Sequence, residues 1–313
     1  MQTLILGAGA VGGYIGMKLI EAGSDVMFIA RRDRLKQLSQ KGLVVRSPLG
    51  NRATQVVASE HPASDFVPDV VILACKAPAL HGAIATVKPN VSKDTLILPV
   101  LNGVSHIETL HQVFPDNPIL GGIVHGALTL TPEGTIDHLS PFFTFIVGRT
   151  SGAVDTATQS LIQTLANSQV DARLSSDIQQ DLWSKFVFLT SLAGITCLMR
   201  ASIGTIMASV DGPRLTRQLF GECLNVAQLE DRATDAEALN AYLALLTQSG
   251  SNLTSSMLRD IASGRRTEYE HILGDMLRRA QLYGLDTPIL RICATHLACY
   301  EARFVAEPPR AII

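Results

Sequence analysis

The chain has 313 residues, 47% of them hydrophobic and only 17% charged. That charged share lies below the roughly 25% of an average soluble protein, which excludes intrinsic disorder and requires a large core. A net charge of −2 excludes the basic footprint of a nucleic-acid binder, and the length suggests about two domains.

Residues 3–6 are a short apolar run that ends in glycines, and helical spacing follows over 11–22. Residues 26–30 read as a second buried strand, with further strands expected at 43–46, 55–58, 70–74, 96–98, 119–122 and 144–147. Strands that alternate with helical segments indicate crossover units and a parallel sheet, and continuous apolar strands suit a sheet covered on both faces. The segment 129–146, with Pro132-Glu133-Gly134 between two β-rich runs, is expected to add a hairpin at that sheet's edge.

From about residue 177 the pattern turns helical, over 178–199, 213–232, 236–248, 267–283 and 289–303. Thr267-Glu268-Tyr269-Glu270 fits a capping box, and Gly284 and Pro288 close that helix. The expected fold is α/β: an N-terminal Rossmann-type, doubly wound, mostly parallel sheet over 1–170, then a C-terminal all-helical domain over 171–313 for substrate and dimerisation. Residues 307–310 read as a frayed tail.

The charge-free stretch at 186–199 is too short to span a bilayer, and no targeting segment is read at the start, so a cytoplasmic protein without a membrane partner is expected. Cys75, Cys197, Cys223, Cys293 and Cys299 form no C-x-x-C pair and no metal-ligand spacing with histidine. They read as buried small hydrophobes, with neither a disulfide framework nor a metal site.

The strongest chemical signal is Gly7-Ala8-Gly9-Ala10-Val11-Gly12, directly after the first strand and at the mouth of a helix. Gly7 permits a tight turn, Gly9 lets backbone approach a pyrophosphate, and Gly12 allows close helix–strand packing. The pyrophosphate would sit on the helix N-terminus. At the end of the second strand stand Arg31 and Arg32 rather than an acidic residue. A guanidinium pairs with a 2′-phosphate where a carboxylate would repel it, so NADP (as NADPH) is the expected cofactor.

The run Gly7 to Gly16 resembles the opening of the ketopantoate reductase (2-dehydropantoate 2-reductase) family. The resemblance continues through Ala30-Arg31, Cys75-Lys76-Ala77, Leu101-Asn102-Gly103, Trp183-Ser184-Lys185-Phe186, Ser256-Met257-Leu258-Arg259-Asp260 and Gly264-Arg265-Arg266-Thr267-Glu268. It implies NADPH-dependent reduction of a branched 2-oxo acid on the way to pantothenate. It also implies that Lys76 touches the ribose and nicotinamide end of the cofactor and that the backbone at Ala127 lines it.

Read residue by residue, Lys76 and Asn102 follow strands at the carboxyl edge, where α/β sheets bind ligands. An asparagine amide there can serve a cofactor ribose and a substrate oxygen together, although Asn-Gly also simply makes turns. Lys185 lies on a helix whose next charge is Arg200. Desolvation would lower its pKa and fit it to act as a general acid on a developing alkoxide. The resemblance gives Ser256 the substrate carboxylate, against a bland reading as a helix cap. It gives Glu268 the substrate hydroxyl or the orientation of lysine and cofactor, against an ordinary acidic residue in a helix's first turn.

Four positions depart from the family pattern, since Leu189, Ala193, Ile203 and Leu253 stand where relatives carry asparagines. Their loss removes hydrogen bonds to a small hydroxylated oxo acid, which leaves open a more apolar carbonyl substrate. A non-catalytic NADP-binding redox sensor is the alternative of another class. The apolar helical domain is compatible with a homodimer.

Overall fold

Five strands build the central sheet: β1 (Gln2–Leu6), β2 (Asp25–Ile29), β5 (Val57–Ser59), β6 (Val70–Leu73) and β7 (Leu96–Pro99). They are all parallel, in the order β5-β2-β1-β6-β7. The computed structural model describes residues 1–168, 170–232 and 236–305, so the tail expected to fray at 307–310 lies outside the described residues.

Alternate residues of each strand point to opposite faces, and both faces are apolar. Ile5, Phe28, Ile72 and Leu98 belong to one core, with Tyr14, Ile15 and Leu19 of α1 (Ala10–Glu21). Leu4, Ile29, Val71 and Ile97 belong to the other, with Leu80, Ala83 and Ile84 of α3 (Leu80–Val87) and Leu110 of α4 (Ser105–Val113). Each such side chain contributes about 1.5–3 kcal/mol on burial, so the uninterrupted Val-Val-Ile-Leu of β6 is what this position requires. Between β2 and β5 run α2 (Arg32–Lys41), β3 (Leu43–Arg46) and β4 (Arg52–Thr54).

The hairpin expected at 129–146 forms around Pro132-Glu133-Gly134, from β9 (Leu128–Leu130) and β10 (Thr135–His138), but it does not extend the central sheet. β10 pairs with β3 instead, giving a second sheet in the order β4-β3-β10-β9. The strands expected at 119–122 and 144–147 also fall mainly outside the central sheet, to which Ile119 keeps one parallel bridge at Ile97 of β7. β8 (Leu120–His125) and β11 (Thr144–Arg149) pair antiparallel in a third sheet, which β12 (Asp171–Leu174) completes. α5 (Thr156–Asn167) precedes β12. Because β12 pairs with β11, the first compact unit runs past residue 170 and ends at Gln179.

The second unit comprises Asn102–Ser105 and the chain from Gln180 onward. Its helices are α6 (Ile178–Met199), α7 (Ile203–Met207), α8 (Gly212–Leu229), α9 (Ala236–Leu246), α10 (Ser256–Ala262), α11 (Leu273–Leu282) and α12 (Pro288–Val305). By length and hydropathy α6 would pass for a membrane span, yet 72% of its apolar stretch is buried in the fold, which makes it a core helix. Glu222 of α8 accepts hydrogen bonds from the backbone N–H groups of Ile289 and Leu290, so a buried carboxylate caps α12 at its positive end. Arg279 is 6% exposed. It bonds Asp275 and Glu230, and its guanidinium lies 5.3 Å from the ring of Trp183 on α6.

Two local expectations are corrected here. No single helix covers 267–283: a 3-10 turn, Tyr269–His271, precedes α11. The capping box does not form because the Thr267 hydroxyl donates to Glu301 of α12 and accepts only from the nearby Tyr269 N–H. Glu268 therefore precedes a tight turn and does not sit in the first turn of a helix. Among the cysteines, Cys197, Cys223 and Cys293 are buried, whereas Cys75 is half-buried and Cys299 exposed.

Candidate active site

The residues expected to bind the dinucleotide fall mostly in the first unit, at the carboxyl ends of β1, β2 and β6. Gly7 has φ +104°, and a Cβ there would come within 2.5 Å of the Ala74 carbonyl oxygen. A Cβ on Gly12 would strike the Gly7 carbonyl and the Ala74 side chain, so neither position admits a larger residue. Gly9 differs, because a Cβ there would meet nothing within 4 Å. The loop is thus braced from behind by β6 and open at its middle. Gly9 is also the N-cap of α1, makes no side-chain capping bond, and is followed by a first turn without acidic residues. Backbone N–H groups at the positive end of a helix, beside open space, fit the pyrophosphate of a dinucleotide.

Arg31 is the N-cap of α2 at the end of β2, and Lys76 is the N-cap of a short 3-10 turn after β6; both are exposed. β2 and β6 flank β1, so Arg31, the glycine loop and Lys76 lie along one edge, with their strands about 10 Å apart. The Arg31 guanidinium extends toward α3, ending 3.9 Å from where a Gly82 Cβ would stand. Ala127, between β8 and β9, is exposed, but its backbone is already engaged. Its N–H donates to Ser140 Oγ and its carbonyl accepts from the Leu139 N–H.

Asn102, Lys185, Ser256 and Glu268 all belong to the second unit. Asn102 follows β7, yet the turn it begins packs with the helices. His271, which sequence reasoning missed, is the reason. Its ring hydrogen-bonds the Asn102 backbone, and Nδ1 shares a 3.2 Å hydrogen bond with Ser105 Oγ. A Cβ on Gly103 would lie 2.9 Å from its Cδ2. Burial holds the imidazole below its ordinary pKa, against the pull of Glu268 and Asp275. His271 lies three residues after Glu268, the residue that precedes the 3-10 turn carrying it. No spacing in the sequence signals a contact between positions so far apart.

Lys185 is half-buried on α6, between Ser184 and Phe186, both buried. Loss of water lowers its ammonium from 10.5 to about 8, which brings a lysine close to the range where a general acid works at neutral pH. Leu189 and Ala193 follow at four-residue steps and so share its face of the helix. Thr196 and Cys197 continue that face. The Thr196 hydroxyl donates to Ser255 Oγ at 2.9 Å, and Ser255 caps α10 by accepting from the Leu258 N–H. The capping serine is therefore Ser255, buried, while Ser256 stands exposed as the first residue of α10. Ile203 is fully buried and its N–H donates to the Leu253 carbonyl at 3.0 Å. Two of the four altered positions are thus direct backbone partners.

A parallel sheet with a braced glycine loop, and a helical unit with a desolvated lysine, define a nicotinamide-dependent oxidoreductase acting on CH–OH and C=O groups. Residues 3–152 match the family described as "Ketopantoate reductase PanE/ApbA", and residues 177–301 match "Ketopantoate reductase PanE/ApbA C terminal". The chain belongs to the ketopantoate reductase family. It is 34% identical over 303 residues to "Uncharacterized oxidoreductase YkpB" of Bacillus subtilis, covering 96% of this chain and 99% of that protein. It is 28% identical over 297 residues to the 2-dehydropantoate 2-reductase of a Nostoc species, covering 93% and 92%. Among solved structures, 2-dehydropantoate 2-reductase from Geobacter metallireducens matches with TM-score 0.86 and 26% identity over 96% of this chain and 99% of that one. D-mandelate dehydrogenase with NADH and anilino(oxo)acetate shares the fold at TM-score 0.88 and 20% identity, over 98% and 100%.

Proposed function

We propose that this protein reduces a 2-oxo acid to the 2-hydroxy acid with NADPH, as a cytoplasmic enzyme and a homodimer. The observation that carries this reading is Lys185, lowered to about 8 by burial alone on a largely apolar helix. In the reading, the amides of Gly7, Ala8, Gly9, Ala10, Val11 and Gly12 hold the pyrophosphate and Arg31 pairs with the 2′-phosphate. Lys76, Asn102, Glu268 and the surface at Ala127 line the ribose and nicotinamide side. Bound NADPH supplies a hydride to the carbonyl carbon. Lys185 donates the proton from Nζ to the carbonyl oxygen as that oxygen gains charge. Ser256 receives the substrate carboxylate, and Asn102 and Glu268 hold the substrate's oxygen and hydroxyl.

If the substrate is ketopantoate, the product feeds pantothenate synthesis. A second reading keeps the chemistry and makes the substrate more apolar, and the four substituted positions favour it. A helical face reading Lys185, Leu189, Ala193 offers one charge and no amide, so polar groups on a small substrate would lose their partners. The same fold is seen in D-mandelate dehydrogenase with NADH and anilino(oxo)acetate.

The test is loss of the NADPH absorbance band on mixing purified protein with 2-oxo acids, repeated with Lys185→Ala. Turnover that this substitution removes supports the reading. Tight NADPH binding with no turnover on any 2-oxo acid makes the protein a redox sensor instead.

A further inference from the structure

Arg34, three residues beyond Arg31, turns its guanidinium inward from α2. Its Nε donates to the Ala8 carbonyl at 2.6 Å and its Nη1 to the Gly134 carbonyl at 2.7 Å. Nη2 is buried and has no hydrogen-bond partner among the described residues. Gln37 and Lys41, on the same face of α2, donate to the carbonyls of Pro132 and Glu133. Three side chains of one helix thus hold three successive carbonyls of the β9–β10 turn. Arg34 alone also grips the glycine loop.

That grip has a directional consequence. A trans peptide is planar, with C=O and N–H pointing to opposite sides. With the Ala8 oxygen held by Arg34, the N–H of Gly9 is aimed away from α2. Gly9 is also the loop position that opens on free space. A guanidinium that makes two carbonyl bonds at once fixes orientation in a way a flexible ammonium does not.

We propose that Arg34 is a positioning residue for the dinucleotide: it locks the Ala8–Gly9 peptide so that the loop presents its amide side to the pyrophosphate. This rests on the dinucleotide reading of the glycine loop. It assigns Arg34 a task different from that of Arg31, because the pyrophosphate is common to NADPH and NADH whereas the 2′-phosphate is not.

The experiment is direct binding by fluorescence titration, with NADPH, NADH and adenosine 2′-phosphate as probes. Arg34→Gln is expected to weaken NADPH and NADH by the same factor, about tenfold or more for the loss of a charged hydrogen bond. It should leave adenosine 2′-phosphate within twofold, because that fragment lacks the pyrophosphate. Arg34→Lys, which keeps the charge but not the two-carbonyl grip, should show the same equal loss on a smaller scale. It carries the test if the glutamine variant does not fold. Unchanged dinucleotide affinity, even with a lowered melting temperature, overturns the proposal and leaves Arg34 a purely structural clamp. A loss confined to NADPH and adenosine 2′-phosphate also overturns it. Wild-type protein that binds neither dinucleotide overturns the dinucleotide reading itself.

Discussion

The two units carry their candidate binding groups by different means. In the first, recognition would rest on backbone: a left-handed Gly7, a Gly12 with no room for a Cβ, and open space at Gly9. Such a site needs particular absences of side chain, and few sequences satisfy it. In the second, recognition would rest on side chains carried by α6 and α10, and these can change without disturbing the helices that bear them. On α6 Leu189 is half-buried and Ala193 buried. The proposed dinucleotide site is thus fixed by backbone and the proposed substrate site by side chains, and in that proposal Leu189 and Ala193 make the pocket drier.

The contrast can be broken most sharply at Lys185. Replacing it with alanine should lower kcat by about 100- to 10,000-fold, the usual worth of a general acid, with NADPH affinity unchanged in a binding titration. Loss of NADPH binding instead would move Lys185 into the cofactor half. Next in size, Arg31→Asp should weaken NADPH about 100-fold and NADH far less, since a carboxylate facing a phosphate costs several kcal/mol. Equal loss for both would sink the 2′-phosphate assignment.

The pH profile sharpens the same division. In the proposed role Lys185 must be charged to donate its proton, and burial lowers its ammonium to about 8. The chemical step should be level below that value and fall about tenfold per pH unit above it, while NADPH affinity is flat across the same range. A rate that rises with pH would require a base in place of the acid. The smallest expected effect is Leu189→Asn, which returns one amide to the lysine face. It should raise kcat/KM for ketopantoate by about fivefold to tenfold, the worth of one hydrogen bond, and lower it for apolar oxo acids.

The sequence carried the first unit further than the second because glycine and arginine placements at strand ends are local signals. Residues 70–74 read as a buried strand, and the run at Gly7–Gly12 gains its meaning from the strand before it and the helix after it. The outer sheets were less legible. β12 reads Asp-Ala-Arg-Leu, with three of its four residues exposed, so it has no apolar pattern and is a strand only because β11 lies beside it. The helix expected from residue 267 breaks for a similar reason, since Thr267 finds Glu301 and leaves its cap undone. His271 and Arg34 belong to the same class: their partners, Asn102 and Ala8, are brought close only by the fold. Lys185 was readable because the charge-free run that follows it, as far as Arg200, is written along a single helix.

The most direct test of the central claim, a standard dinucleotide half joined to a dry substrate half, is kcat/KM with NADPH across 2-oxo acids of increasing apolar size. The series should begin with ketopantoate and run through branched aliphatic to aryl oxo acids. The value should rise along it, with every activity lost in Lys185→Ala. Ketopantoate as the best substrate, with the value falling as apolar size grows, would contradict it.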